Sequence, residues 1–250
     1  MRRGALIATV LAGFAVFLVV LALYLPASWF ASLLPAQVKC RQIGGSIWNG
    51  ECLGLQLQAA ELGDATWNLS VTGALSGHLR GDVELRGATV ALRADVDTDF
   101  NGVGELRKVT ARIPLDPAVI PQIPPNQRGT VTADLPRLVL AAGPAPKLIQ
   151  GFIELRDLRQ LGAQPLDLGS YRVEFDGGSQ PNGELQGKLR DIGGPFALEG
   201  TVNLTPPNAY LVHGRIAGRT AQAENIVREI TLGAPPDTSG RSEFSFEGSY

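Results

Sequence analysis

Apolar and polar residues alternate along most of the chain beyond residue 50. Leu53, Leu55 and Leu57 are spaced by Gly and Gln, and Trp67, Leu69 and Val71 by Asn and Ser. Leu79, Val83 and Leu85 share one parity while Arg80, Asp82, Glu84 and Arg86 take the other. Period two is the mark of a half-buried strand. It returns at Tyr171–Phe175, Leu185–Leu189, Phe196–Leu204, Tyr210–Ile216 and Phe244–Phe246, with less regular stretches at 89–96, 103–112, 129–140 and 151–155. The pattern predicts a mostly β protein with a largely antiparallel sheet of about a dozen strands. One helix is expected from Thr220 to Leu232, where Ile226, Val227 and Ile230 share a face and Gly233 and Pro235 follow as stop signals. The prolines between 114 and 128 break the pattern, leaving β-rich halves near 37–113 and 129–250.

Glycine falls on the apolar parity of these strands at Gly73, Gly81, Gly187, Gly200, Gly214 and Gly248. Glycine inside a strand marks a bend or a close backbone approach. On one face throughout, it predicts a strongly curved sheet whose concave side is apolar.

The first segment follows a different rule. Arg2 and Arg3 precede residues 5–25, an almost wholly apolar run of 21. As a helix it would span about 31 Å, the thickness of a bilayer core. A signal peptide is the rival, but its apolar core is shorter and ends at a small-x-small site, which Leu34-Pro35-Ala36 does not supply. The expected organisation is a cytoplasmic tail at 1–4, a transmembrane helix at 5–25, a linker at 26–36 and a far-side β domain at 37–250. The flanking arginines orient the N-terminus toward the cytoplasm. Gly4, Ala8 and Ala12, and Ala5, Thr9 and Gly13, form small-residue rows that permit a helix–helix contact, though such residues are common in any membrane helix.

Cys40 and Cys52 then lie where disulfides persist. Gly44-Gly45-Ser46 is a turn signal, and a hairpin centred near Ser46 would set the two cysteines opposite each other. Two unpaired, half-buried thiols are the alternative.

Composition narrows function by exclusion. A net charge of -2 with no basic run interleaved with aromatics speaks against nucleic acid. His78 and His213 are the only histidines, both on polar parity and without a second ligand in metal spacing. Asp95, Asp97 and Asp99 alternate along a strand, reading as a solvated edge rather than a calcium loop. Gly102-Val103-Gly104 lacks the third glycine of a dinucleotide loop, and no nucleophile elbow or phosphate loop occurs. No catalytic, cofactor-binding or metal-binding residue is expected, and no enzyme.

Several weak motifs fall in a recognisable order: Gly45-Ser46-Ile47-Trp48-Asn49-Gly50; Leu62-Gly63 with Trp67 and Leu69; the strand from Gly77 to Gly87. Gly187, Leu189, Asp191, Gly193 and Gly194 lead to Gly200, then Gly214, Leu232-Gly233 and Asp237 with Gly240-Arg241. Together they resemble the type II secretion system protein N family over nearly the whole chain, with Ser46 in place of the usual threonine. The cysteine pair is not a general feature of that likeness. The resemblance implies an inner-membrane, single-pass protein with a periplasmic domain. Its role would be export of folded proteins across the outer membrane, with platform proteins or the secretin as partners. A similarity to AsmA-like proteins implies an alternative, lipid handling through an apolar groove. A bacterial origin would leave the sequons at Asn68 and Asn203 idle.

Overall fold

The structure, a computed structural model, describes residues 11, 13, 14, 17, 20, 21, 23–29, 37–57, 60–99, 101–120, 123–140, 145–162, 165–179, 183–231, 233 and 235–249. Much of the expected membrane helix at 5–25, and all its small residues except Gly13, lie outside these. The described positions from Leu11 to Leu23 are helical, but among the described residues no helix is long and apolar enough to cross a membrane.

Thirteen strands form one antiparallel sheet in unbroken sequence order. They are β1 (Val38–Gly45), β2 (Asn49–Leu57), β3 (Ala60–Leu69), β4 (His78–Arg86), β5 (Ala91–Asp99), β6 (Gly104–Pro114) and β7 (Gln127–Leu140). The second half comprises β8 (Pro146–Gln160), β9 (Leu166–Ser179), β10 (Leu185–Gly193), β11 (Phe196–Thr205), β12 (Ala209–Gly218) and β13 (Ser242–Ser249). The proline-rich stretch is a connection between β6 and β7, and the two strands pair along their length, so both halves share one sheet. Two short helices interrupt the meander: α1 (Val71–Leu75) and α2 (Ala221–Ile230). Curvature is visible where β8 and β10, or β9 and β11, come within 8 Å although a strand lies between them. Flat strands two apart would be separated by about 9.5 Å.

Several expectations change. Val71 and Gly73 belong to α1, not to a strand. Ser70 caps this turn by accepting from Gly73 N at 3.2 Å, a local bond that outcompetes the ladder. Asp95, Asp97 and Asp99 lie on β5, an interior strand rather than an edge. Asp95 meets Lys108 at 2.9 Å, Asp97 meets Arg80 at 3.0 Å and His78 at 3.3 Å, and Asp99 accepts from the N–H groups of Asn101 and Val103 in its own turn. His213 is exposed. The helix expected at Thr220–Leu232 is α2; Thr220 caps it, accepting from Ala223 N at 3.2 Å, and it runs to Ile230. Gly233 follows at φ +74 and donates to Arg228 O at 2.8 Å.

Pro136 sits inside β7, where a proline normally argues against a central strand. A pairing irregularity accommodates it. Lys108 of β6 adopts φ 49, and Gly151 of β8 (φ +119) leaves room for the ring, since a Cβ there would stand 2.7 Å from Pro136 Cδ.

The core has two centres. Ala94, Val109, Leu135, Ile149, Phe175 and Leu185 cluster across the middle strands, and Phe196, Ile216 and Phe244 pack beneath Ala223 and Val227 of α2.

Candidate functional site

The sequence motifs fold into two structural corners at opposite ends of the sheet. At the first, Gly45 (φ +78) and Gly50 close the β1–β2 hairpin as a cross-strand pair. Ser46 Oγ accepts from Trp48 N at 3.3 Å and Asn49 N at 3.1 Å. Leu69 N donates to Trp48 O at 2.5 Å, which ties the turn to β3. Trp67 lies directly over Gly50: a Cβ there would collide with the indole, whose Nε1–H donates to Ile47 O at 3.1 Å. These residues build a corner rather than a reactive centre.

The hairpin register differs from the expected one. The turn is centred between Ile47 and Trp48, so Cys40 lies opposite Leu55 and Cys52 opposite Ile43. The cysteines are nonetheless joined by a disulfide, with Cα atoms 5.6 Å apart; Gly54, at φ +63 just past Cys52, marks an irregularity in β2. They border an apolar cleft of about 400 Å³ lined also by Ala27, Val38, Ile43, Trp67 and Val83.

The second corner joins β10, β11 and the start of α2. Asp191 accepts from Leu198 N at 2.9 Å and from Arg219 at 2.8 Å. Arg219 also donates to the carbonyls of Gly194 at 3.0 Å and Phe196 at 2.7 Å. Gly194 (φ +124) packs onto Gly169 so closely that neither admits a side chain. Beside them Tyr171 donates to Leu168 O, and burial, with the charges of Asp191 and Asp167, pushes its hydroxyl up to about 12. Arg219 went unnoticed in the sequence, because its partners lie 23 to 28 residues away. Nearby, Asp237 accepts from Ser239 and Arg241 N within a turn completed by Gly240 (φ +76). These bonds lower its carboxyl to about 2.

Between the corners, the two faces of the sheet carry continuous rows. On one face Ile43, Cys52 and Ala65 stand opposite each other in turn, followed by Leu85, Leu92 and Ala111. Ala133, Ile153 and Val173 continue the row, which ends on Leu189, Gly200, Gly214 and Phe244. Every member is apolar or glycine. Twelve strand spacings make the row about 58 Å along the sheet. From Leu85 to Leu189 its side chains are half-buried, neither sealed in a core nor fully solvated.

The glycines in and beside this row sit at close approaches. Gly200 and Gly214 face each other across β11 and β12, and Gly187 lies under the side chains of Val173 and Phe175.

The other face carries a charged ladder. Arg86, Ala91, Arg112, Thr132 and Glu154 are cross-strand partners, continued by Arg172, Arg190, Glu199, Arg215 and Glu243. Its best-covered member is Glu154, 1% exposed, held by Arg156 at 2.5 Å and by Arg172, whose guanidinium stacks on Phe152 at 4.3 Å. Burial pushes the Glu154 carboxyl up, but hydrogen bonds from the two arginines outweigh it and hold the pKa below the ordinary glutamate value. Glu199 is lowered too, first by its hydrogen bond to Arg241.

Among the described residues no group of three or more His, Cys, Asp or Glu side chains could hold a metal. The arrangement offers a long apolar face and a long charged face, which suit binding.

Comparison with protein families gives a match: the family described as type II secretion system (T2SS), protein N, over residues 36–245. The chain belongs to that family. The match covers β1 through β12 and reaches Ser245 in β13, so both corners and both rows are family territory. Comparisons with curated proteins and with solved structures gave no match. The motif residues singled out in the sequence, Gly45, Trp48, Gly50, Trp67, Gly187, Asp191, Gly194, Gly200, Gly214, Gly233 and Gly240, lie within this chain's match and occupy turns, corners and close strand approaches.

Glu154 supplies a test of the charged face. The sheet is a single layer there, so water screens the cluster, and Glu154→Ala should destabilise the protein by about 2 kcal/mol rather than the ~3–5 expected for a deeply buried pair. Glu154→Gln, which keeps an acceptor, should cost less in a denaturant melt. Because Glu154, Glu199 and Asp237 all have lowered pKa values, their stabilisation is complete above the ordinary carboxylate range. It should be lost as pH falls through their folded values, toward about 2 for Asp237. A melting temperature that is flat from neutral pH to pH 3 would contradict this.

Proposed function

We propose that this chain is a non-enzymatic, inner-membrane-anchored component of the type II secretion system. It supports export of folded proteins across the outer membrane through contacts with other secretion components. The observation that carries the reading is the family match from β1 into β13. The apolar run at 5–25 supports the anchor, and Arg2 and Arg3 before it support a cytoplasmic N-terminus. Two faces of opposite character, one apolar and one charged, suit a protein that works by contact.

The experiment is a pull-down of the tagged full chain from cross-linked cell envelopes. Platform proteins or the secretin should be enriched, and a reporter fused after Arg41 should be active in the periplasm. Recovery of the chain free of secretion components, or a soluble form beginning near Gln37, would overturn the reading.

The half-buried apolar row favours a second reading, an AsmA-like lipid-binding or lipid-transfer protein. Stoichiometric lipid found with the purified chain by mass spectrometry, with no secretion component in the pull-down, would move the conclusion to it.

A further inference from the structure

The sheet does not close, and its first and last strands are edges. β1 pairs with β2 alone, apart from a single bridge between Pro26 and Ser46 just beyond its end; β13 pairs with β12 alone, among the described residues. Both edges show a half-apolar, half-charged character, but the signs are opposite. β1 presents exposed Lys39 and Arg41 on the charged face and Ile43 on the apolar one. β13 presents exposed Glu243 and Glu247 on the charged face, with Phe244 and Phe246 on the apolar one.

We infer that copies of this chain join head to tail, the β13 edge of one lying against the β1 edge of the next. Charge chooses this arrangement over the alternatives. Pairing β13 with a second β13 would bring Glu243 and Glu247 against their own copies, and pairing β1 with β1 would do the same for Lys39 and Arg41. Like charges on directly opposed strands are destabilising, whereas unlike charges stabilise.

Geometry agrees. In an unbroken meander all odd-numbered strands run the same way, so β13 and the next β1 meet in parallel with their faces matched. Arg41 leans on Gly54, whose N–H donates to Asp64 at 2.8 Å, the cross-strand partner of Arg86. The charged ladder therefore begins on Arg41 and ends on Glu243, and the apolar row begins on Ile43 and ends on Phe244. Head-to-tail contact continues both. Charged edges also serve simply to block pairing, but blocking needs no opposite signs at the two ends. The contact is heterologous, so it builds rows or rings rather than a closed twofold dimer.

The test uses the full chain in detergent, followed by sedimentation velocity. The wild type should self-associate, less so at high salt. Glu243→Lys with Glu247→Lys should weaken association about tenfold or more, and Lys39→Glu with Arg41→Glu should do likewise. An equimolar mixture of the two variants should regain it, because each reversed edge then meets its complement. A zero-length carbodiimide should also link Lys39 of one wild-type copy to Glu243 or Glu247 of another, found as a cross-linked peptide in the dimer band. This second measurement stands even if a charge variant fails to fold. A monomeric wild type, association indifferent to the charge swaps, or dimer bands lacking that peptide would each overturn the inference.

Discussion

Gly200→Ala should lower the melting temperature sharply, and Gly200→Val further. A Cβ at position 200 would overlap the His213 carbonyl and stand 2.8 Å from Gly214 Cα. Both obstacles are backbone, so no side-chain rotation relieves them. Gly214 has the mirror problem, with a Cβ 2.9 Å from Gly200 Cα and 3.1 Å from the Phe244 ring. Parting β11 from β12 would also disturb the α2 cluster, where Phe244 is buried. We expect about 3 kcal/mol for the valine, the upper end of overpacking costs, or roughly 6–12 °C in a domain of this size. Gly104→Ala is the control, since its Cβ would meet Thr98 at an ordinary 3.4 Å. Equal melting of Gly104→Ala and Gly200→Ala would contradict the close-approach account. Because Gly200→Val would strain backbone rather than merely fill a groove, it would not separate a lipid groove from a filled core.

Removing the Cys40–Cys52 bridge should be nearly as costly. The bond closes a loop with a sequence separation of 12, for which chain entropy gives about 2–3 kcal/mol. Replacing both cysteines by serine should therefore lower the melting temperature by roughly 4–12 °C. The change should be local, opening the apolar cleft first. Alkylation of denatured, non-reduced protein should modify neither sulfur; native conditions would not suffice, because Cys52 is 3% exposed. Labelling of both would show free thiols. Such a result would leave the corner to Gly45, Gly50, Trp67 and the Ser46 and Trp48 hydrogen bonds.

Much of the sheet was legible because a strand buried on one face writes its period into the sequence. Leu79–Arg86 became β4 within a residue, and the shared face of Ile226, Val227 and Ile230 placed α2. Some failures were local, as where Ser70 caps α1; others turned on a partner distant in the chain. Pro136 is tolerable inside β7 only because Gly151 and Lys108 yield to it. Arg219 holds a corner whose acceptors lie on other strands. The apolar row and the charged ladder are properties of register, which pairing irregularities between strands such as β5 and β6, or β8 and β9, shift locally. The hairpin centre moved toward Trp48 because Gly45 and Gly50, rather than Gly44 and Gly45, frame the turn.

The measurement that bears most directly on the central claim is the distribution of a folded exported enzyme between medium and periplasm. It should be made in cells lacking this chain and in cells where it is restored. The account predicts that the enzyme accumulates, folded and active, in the periplasm of the deletion strain. The full chain should return it to the medium, and the chain lacking residues 1–25 should do so poorly. Secretion unchanged by the deletion, in cells shown to depend on the type II pathway for that enzyme, would contradict it.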